Sequence, residues 1–161
     1  MLTIIKTLSL LFSLQCFGIV VPKDFPAKCQ QAGGVILDQW TCPKSGKVRK
    51  TKNCLVLDHN SKEMIFNGCS ASIGNYGEVF YKACVYHDLC YHHEPTTHGL
   101  NKTDCDRQFL TDMIAICKNE APEDTNCNSN ANLFFKAVDI FGGSAWSCSK
   151  ELADYPNNRS F

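Results

Sequence analysis

Apolar residues recur every three or four positions in the second half of the chain, a pattern that predicts amphipathic helices. The first helix is predicted at about 80–93 and should end at the Glu-Pro pair that follows it, because proline interrupts helices. The second is predicted at about 103–118, with Thr103 as its N-terminal cap. The third is predicted at about 131–141, capped by Asn130 and stopped by the glycine pair after it.

The N-terminal half has shorter apolar runs. The runs at 35–37 and 55–57 predict short strands. Residues 64–77 contain several glycines and little periodicity, so they are predicted to form a loop. Three helices and a few short strands predict a mainly α fold.

The chain begins with an apolar segment, which covers about 7–21 and follows the positive charge of Lys6. This is typical of a secretory signal peptide, predicted at 1–18. Residues 19–161 would then form a single secreted domain, best supported over 64–148. A membrane anchor is the alternative, but the run is short beside the roughly 20 apolar residues of a comfortable span.

The cysteine count fits an exported protein. The chain has 11 cysteines, and removal of the leader takes Cys16 with it. The even number that is left predicts a disulfide framework. Sequons at Asn101 and Asn158 are candidate glycosylation sites. The formal net charge is +0, so nothing global indicates a nucleic-acid partner.

The residues with most chemical potential lie on the first two helices. At about 100° per residue, Cys84, His87 and Tyr91 share one helix face, and Asp88 points to another side. On the second helix Asp106 falls on the apolar stripe. A buried carboxylate needs a partner, and His87 is the obvious one. If a Cys90–Cys105 bond joins the two helices, Tyr91 could hydrogen-bond the same aspartate.

Disulfides could bring these groups together, although sequence alone does not fix their connectivity. A Cys90–Cys105 bond would carry the following residue, Asp106, to the histidine helix. A Cys69–Cys84 bond would tie the glycine-containing loop to that helix. The Cys-x-x-His-x-x-Cys spacing could instead suggest zinc, but exported thiols usually oxidise and the spacing wraps too far around a helix.

Three motifs carry a resemblance to a known family. Cys-x-x-His-Asp-x-Cys-Tyr at 84–91 resembles the active-site helix signature of secreted phospholipases A2. Cys-Asp-x-x-Phe-x-x-Asp-Met-x-x-x-Cys at 105–117 resembles the partner helix of that family. Asn-Gly-Cys-Ser at 67–70 resembles the calcium loop of its shorter branch, which includes conodipine-like, bacterial and fungal proteins. The resemblance is strongest over 84–117 and does not cover the first 60 or so residues.

The resemblance implies a disulfide-rich phospholipase A2-like fold, in which two antiparallel, disulfide-linked helices hold the site and a third packs against them. It also implies catalytic roles. The family's histidine, at His87, takes a proton from water that attacks the sn-2 ester of a glycerophospholipid. The family's aspartate, at Asp106, holds the imidazole tautomer, and Tyr91 has a supporting role.

The same resemblance implies a Ca²⁺ cofactor. Asp88 matches the family's calcium-binding aspartate, and Asn67 and Gly68 match the loop that completes an oxygen-rich site. Bacterial relatives often carry an aspartate where Asn67 stands. An amide oxygen still binds calcium, but it adds no charge.

The predicted partner is therefore a phospholipid membrane surface or micelle. The alternative is a secreted binding protein that keeps the scaffold and acts on a receptor, channel or matrix partner. The sequence lacks a Gly-x-Ser-x-Gly motif, which disfavours a serine lipase.

Overall fold

The structure is a computed structural model, which describes residues 24–42, 45–57, 61, 63–70, 75–97 and 99–149. The predicted signal peptide at 1–18 and the sequon at Asn158 lie outside the described residues.

Helices dominate the described part of the chain, which confirms the predicted mainly α class. The helices are α1 Phe25–Gln31, α2 Tyr76–Val79, α3 Tyr81–Thr97, α4 Lys102–Glu120, α5 Cys127–Phe141 and α6 Gly143–Ser149. The strands are β1 Val35–Leu37, β2 Trp40–Thr41, β3 Val48–Arg49, β4 Asn53–Leu57 and β5 Glu63–Phe66. No helix of the described residues is long and apolar enough to cross a bilayer.

The strands form two small antiparallel sheets. One has the order β1-β4-β5, and the other pairs β2 with β3. Strands occur at both predicted positions, but the loop prediction for 64–77 is wrong at both ends, where β5 and the start of α2 form. Met64, Ile65 and Phe66 are all buried, so β5 lacks the alternation of apolar and polar residues that marks a half-exposed strand.

The helix boundaries differ from the predicted ones for local reasons. Asn101, not Thr103, caps α4: its side chain accepts the Asp104 N–H at 3.1 Å, and Asp104 accepts the Asn101 N–H at 3.0 Å. This reciprocal capping box fixes the start of the helix. The α5 helix starts at Cys127, before the predicted cap, where a disulfide anchors its first turn. The α3 helix continues past Pro95 to Thr97, so the Glu-Pro pair does not end it as predicted.

The α3 helix lies at the centre of the fold, between two clusters of buried side chains. On one side it packs against α4, and α5 belongs to the same cluster; on the other it packs against the larger sheet, and α1 belongs to that cluster. The first cluster includes Phe80, Cys84, Phe109, Met113 and Phe134, and the second includes Phe25, Val56, Phe66, Val85 and Leu89. A helix covered on both sides is apolar around most of its circumference.

Five disulfides join every helix of the described residues except α2 to another part of the chain. The bonds are Cys29–Cys54, Cys42–Cys148, Cys69–Cys84, Cys90–Cys105 and Cys117–Cys127. Both bridges proposed from the sequence are present. The zinc alternative is wrong, because the two cysteines of that motif are oxidised and leave no thiolate for a metal.

Candidate active site

A histidine and an aspartate meet between α3 and α4. His87 Nε2 lies 2.8 Å from Asp106 Oδ1. Both are buried, with 7% of His87 and 1% of Asp106 exposed. The Cys90–Cys105 bond joins the two helices one residue before Asp106. Residues late in α3 therefore face residues early in α4, and the carboxylate is directed at the imidazole.

The Asp106 carboxylate has two further partners. The Tyr91 hydroxyl donates to Asp106 Oδ1 at 2.7 Å, the oxygen that His87 also contacts. The Lys102 ammonium donates to the other oxygen, Oδ2, at 2.6 Å. Sequence reasoning missed Lys102, although its spacing of four residues from Asp106 on a helix is the signal that could have identified it.

Burial and hydrogen bonding set the charges of this pair. Burial lowers the pKa of His87 and outweighs the opposing effect of Asp106, so the imidazole is neutral near pH 7. Burial by itself would raise the pKa of Asp106. Hydrogen bonds from His87, Lys102 and Tyr91 outweigh burial, so the net shift is downward. An ionised carboxylate only accepts hydrogen bonds, so Nε2 of His87 carries the ring proton and Nδ1 keeps a lone pair that points away from Asp106.

Aromatic rings surround the imidazole. The Tyr91 ring centroid lies 4.2 Å from that of His87, and the Phe109 centroid lies 4.7 Å away. Trp146, from α6, packs edge-on against Tyr91 at 5.2 Å. These contacts restrict the orientation of the imidazole and keep bulk water from its Asp106 side.

The Asp88 carboxylate lies on another side of α3, next to the loop that precedes the helix. Its Oδ2 accepts the backbone N–H groups of Asn67 and Gly68, each at 2.8 Å. Burial raises the pKa of Asp88 to about 7, although these hydrogen bonds act against the rise. None of the described basic side chains forms an ion pair with this carboxylate.

The loop needs a glycine where it passes α3. Gly68 has φ +70°, and a Cβ at this position would lie 2.7 Å from Cε2 of Tyr81. A side chain would therefore meet both an unfavourable backbone conformation and a filled space. The Cys69–Cys84 bond fixes the next residue of the loop to the helix.

The oxygen atoms of Asp88 and the adjacent loop are ligands of the type that a hard cation binds. Asn67 contributes an amide oxygen, which accepts a hydrogen bond from Ser70 at 3.2 Å. One carboxylate with neutral oxygens and no thiolate or imidazole suits calcium better than a transition metal. Within the described ranges, no cluster of three or more histidine, cysteine, aspartate or glutamate side chains could hold a metal. Residues 71–74 of the loop lie outside those ranges.

The candidate glycosylation site at Asn101 is at the start of α4. Its side chain is exposed, and the cap uses only its Oδ1. The cap therefore leaves free the amide nitrogen, the atom that a glycan would modify.

Two disulfide-linked helices with a buried His–Asp pair and an adjacent carboxylate define the class of protein as phospholipase A2-like. Comparison with known families agrees: the model of a family described as prokaryotic phospholipase A2 matches residues 40–142. The chain belongs to this family.

Three curated relatives are similar over a shorter region. Conodipine-P3, Conodipine-P2 and Conodipine-P1 from Conus purpurascens are each 29% identical over 98 residues, which is 58% of this chain and 54% of the relative. The chain thus spans about half the length of the curated relatives that it matches. No solved structure matches it significantly.

Proposed function

We propose that the protein is a secreted, calcium-dependent phospholipase A2, which hydrolyses the sn-2 ester of glycerophospholipids to a fatty acid and a lysophospholipid. The observation that carries this proposal is the buried His87–Asp106 pair, with Nε2 of His87 held by the carboxylate. Family membership makes a phospholipid the favoured substrate.

In this mechanism Nδ1 of His87 takes a proton from a water molecule while the water oxygen attacks the sn-2 carbonyl carbon. Asp106 holds the ring and stabilises the imidazolium. When the tetrahedral intermediate collapses, the C–O bond to glycerol breaks. The imidazolium then returns its proton to the departing alkoxide, so that the base is regenerated.

Asp88 is the proposed calcium ligand, with Asn67 and Gly68 of the adjacent loop. Bound there, calcium would polarise the ester carbonyl and stabilise the negative charge that develops on its oxygen. None of the described basic side chains forms an ion pair with Asp88, which supports this role, because a half-buried carboxylate without a cation is costly to ionise.

Secretion is proposed from the leader and from the cysteines. Ten cysteines pair in five disulfides, and such bonds persist mainly in oxidising compartments. The proposed partner is the surface of a membrane or micelle that contains the substrate.

The test is hydrolysis of sn-2-labelled phosphatidylcholine by pure, oxidised protein, with calcium and with excess chelator. We expect release of labelled fatty acid only with calcium. His87→Gln should abolish the release while its circular dichroism and urea unfolding stay close to those of the native protein. No release over a range of calcium concentrations and lipid forms would refute the proposal.

The alternative is a secreted binding protein that keeps the scaffold without turnover and acts on a protein receptor. One observation favours it: Oδ2 of Asp88 is already occupied by two backbone N–H groups, and Asn67 adds no charge to attract calcium. Calorimetric titration with calcium separates the two proposals. Absence of both calcium binding and hydrolysis would support the binding protein.

A further inference from the structure

Lys102 is the first residue of α4, and its ammonium forms hydrogen bonds to three oxygen atoms. It donates to Asp106 Oδ2 at 2.6 Å, to the Val138 carbonyl at 3.0 Å and to the Asp139 carbonyl at 3.1 Å. An ammonium has three donors, and these contacts use all of them. The side chain is only 20% exposed.

The two carbonyls belong to the last turn of α5. Carbonyls in a last turn lack partners within the helix, and the helix dipole makes this end negative. Val138 O also accepts the Gly142 N–H at 2.7 Å. Lys102 therefore joins the negative end of α5 to the carboxylate that orients His87.

The two oxygens of Asp106 have separate tasks. His87 and Tyr91 share Oδ1, whereas Lys102 holds Oδ2. With Lys102 removed, Oδ2 would be an unpaired buried anion, and the carboxylate would be free to rotate away from the imidazole. Among the described lysine and arginine side chains, Lys102 is the one that forms an ion pair with this aspartate.

We propose that Lys102 is a positioning residue of the active site, which fixes the Asp106 carboxylate so that it holds His87 in the reactive tautomer. The inference rests on the proposed function. Lys102 does not touch the substrate in this proposal, since the α5 carbonyls and Asp106 enclose its ammonium. It acts through Asp106 alone.

The test compares Lys102→Met with Lys118→Met, a matched change at an exposed lysine in the last turn of the same helix. We expect Lys102→Met to lower kcat about 10- to 100-fold, as misplacement by about 1 Å does, with KM changed less than about twofold. Lys118→Met should leave both constants unchanged. Equal constants for the two variants would overturn the proposal.

A double variant separates positioning from a general structural role. If Lys102 acts through Asp106, then adding Lys102→Met to Asp106→Asn should cause no further loss beyond about threefold. Losses that multiply would overturn the proposal, because they would mean that Lys102 acts independently of the aspartate.

Nuclear magnetic resonance of the His87 ring provides a readout that does not need turnover. In the native protein we expect a protonated Nε2 whose proton exchanges slowly with water, and in Lys102→Met a faster exchange. Should Lys102→Met not fold, Lys102→Gln, which keeps a single donor group, serves in the same measurement.

If the native protein hydrolyses no phospholipid, the proposed function fails, while the His87 signal still tests positioning. An unchanged signal would refute the positioning role.

Discussion

Replacement of Gly142 by alanine should disturb the active site from a position that touches neither His87 nor the substrate. Gly142 follows the last residue of α5 and has φ −68°, so its backbone accepts alanine without strain. The atoms around Gly142, however, leave no room for the added methyl group. An added Cβ would lie 2.4 Å from Val138 O and 2.7 Å from the Tyr91 hydroxyl.

The size of the effect follows from these distances. Ordinary contacts start at about 3.5 Å, so both neighbours would have to retreat by about 1 Å. Val138 O belongs to the backbone and is held by Lys102, whereas the Tyr91 hydroxyl can move only by lengthening its 2.7 Å hydrogen bond to Asp106. Overpacking costs about 1–3 kcal/mol, and the hydrogen bond contributes about 1 kcal/mol. The entropic gain of about 0.4–1 kcal/mol from glycine to alanine offsets part of this.

We therefore expect Gly142→Ala to lower the free energy of unfolding by about 1–3 kcal/mol. It should also lower kcat about 10- to 100-fold, because Tyr91 helps to place Asp106. Urea unfolding and sn-2 hydrolysis measure the two effects. The matched control is Gly143→Ala, since a Cβ on the next residue meets no heavy atom within 4 Å. If the two variants were equal in stability and rate, the packing argument would be wrong.

Three other changes test the remaining contacts of the site. Tyr91→Phe removes one hydrogen bond to Asp106 and should destabilise the protein by about 1 kcal/mol in urea unfolding; an unchanged midpoint would contradict this. The lowered pKa of Asp106 means that its contribution to stability is present above about pH 4, its unfolded value, and is lost as pH falls through the lower folded value. Asp106→Asn should accordingly show a flatter acid dependence of unfolding, and identical curves would argue against the shift. Asp88→Asn should abolish the heat of calcium binding, yet be at least as stable as the native protein in chelator, because it removes a half-buried carboxylate that no described basic side chain neutralises; an undiminished heat would place the calcium elsewhere.

The helices that hold the site could be predicted because their signals are local. The apolar stripe of α4 includes Asp106, and the sequence around His87 places that side chain on the face that meets α4. The Cys90–Cys105 bond converts these local signals into a contact, because it fixes the register of the two helices next to the aspartate. A carboxylate on a buried stripe needs a partner, and that requirement identified the pair.

The partners that sequence reasoning missed depend on distant parts of the chain. Lys102 was overlooked because the helix was predicted to start one residue later, at Thr103, and because two of its three acceptors are backbone carbonyls of α5. Carbonyls are the same in every residue and leave no mark in a sequence. Trp146 is similar: α6 was not predicted, because the glycine pair at 142–143, where α6 starts, indicates the end of a helix rather than the start of another.

The site has two parts, the His87–Asp106 pair and Asp88 with its adjacent loop. Disulfides fix both parts to α3, but the two differ in their charge balance. Cys84 and Cys90, on either side of His87, tie the loop and α4 to α3. Asp106 is neutralised within the protein by Lys102, so the His–Asp pair is complete without any added group. Among the described residues, the printed partners of Asp88 are the backbone N–H groups of Asn67 and Gly68, and its pKa is raised to about 7, so the Asp88 side of the site gains most from an external cation. Calcium should therefore control turnover through Asp88 while leaving the geometry of the His87–Asp106 pair unchanged.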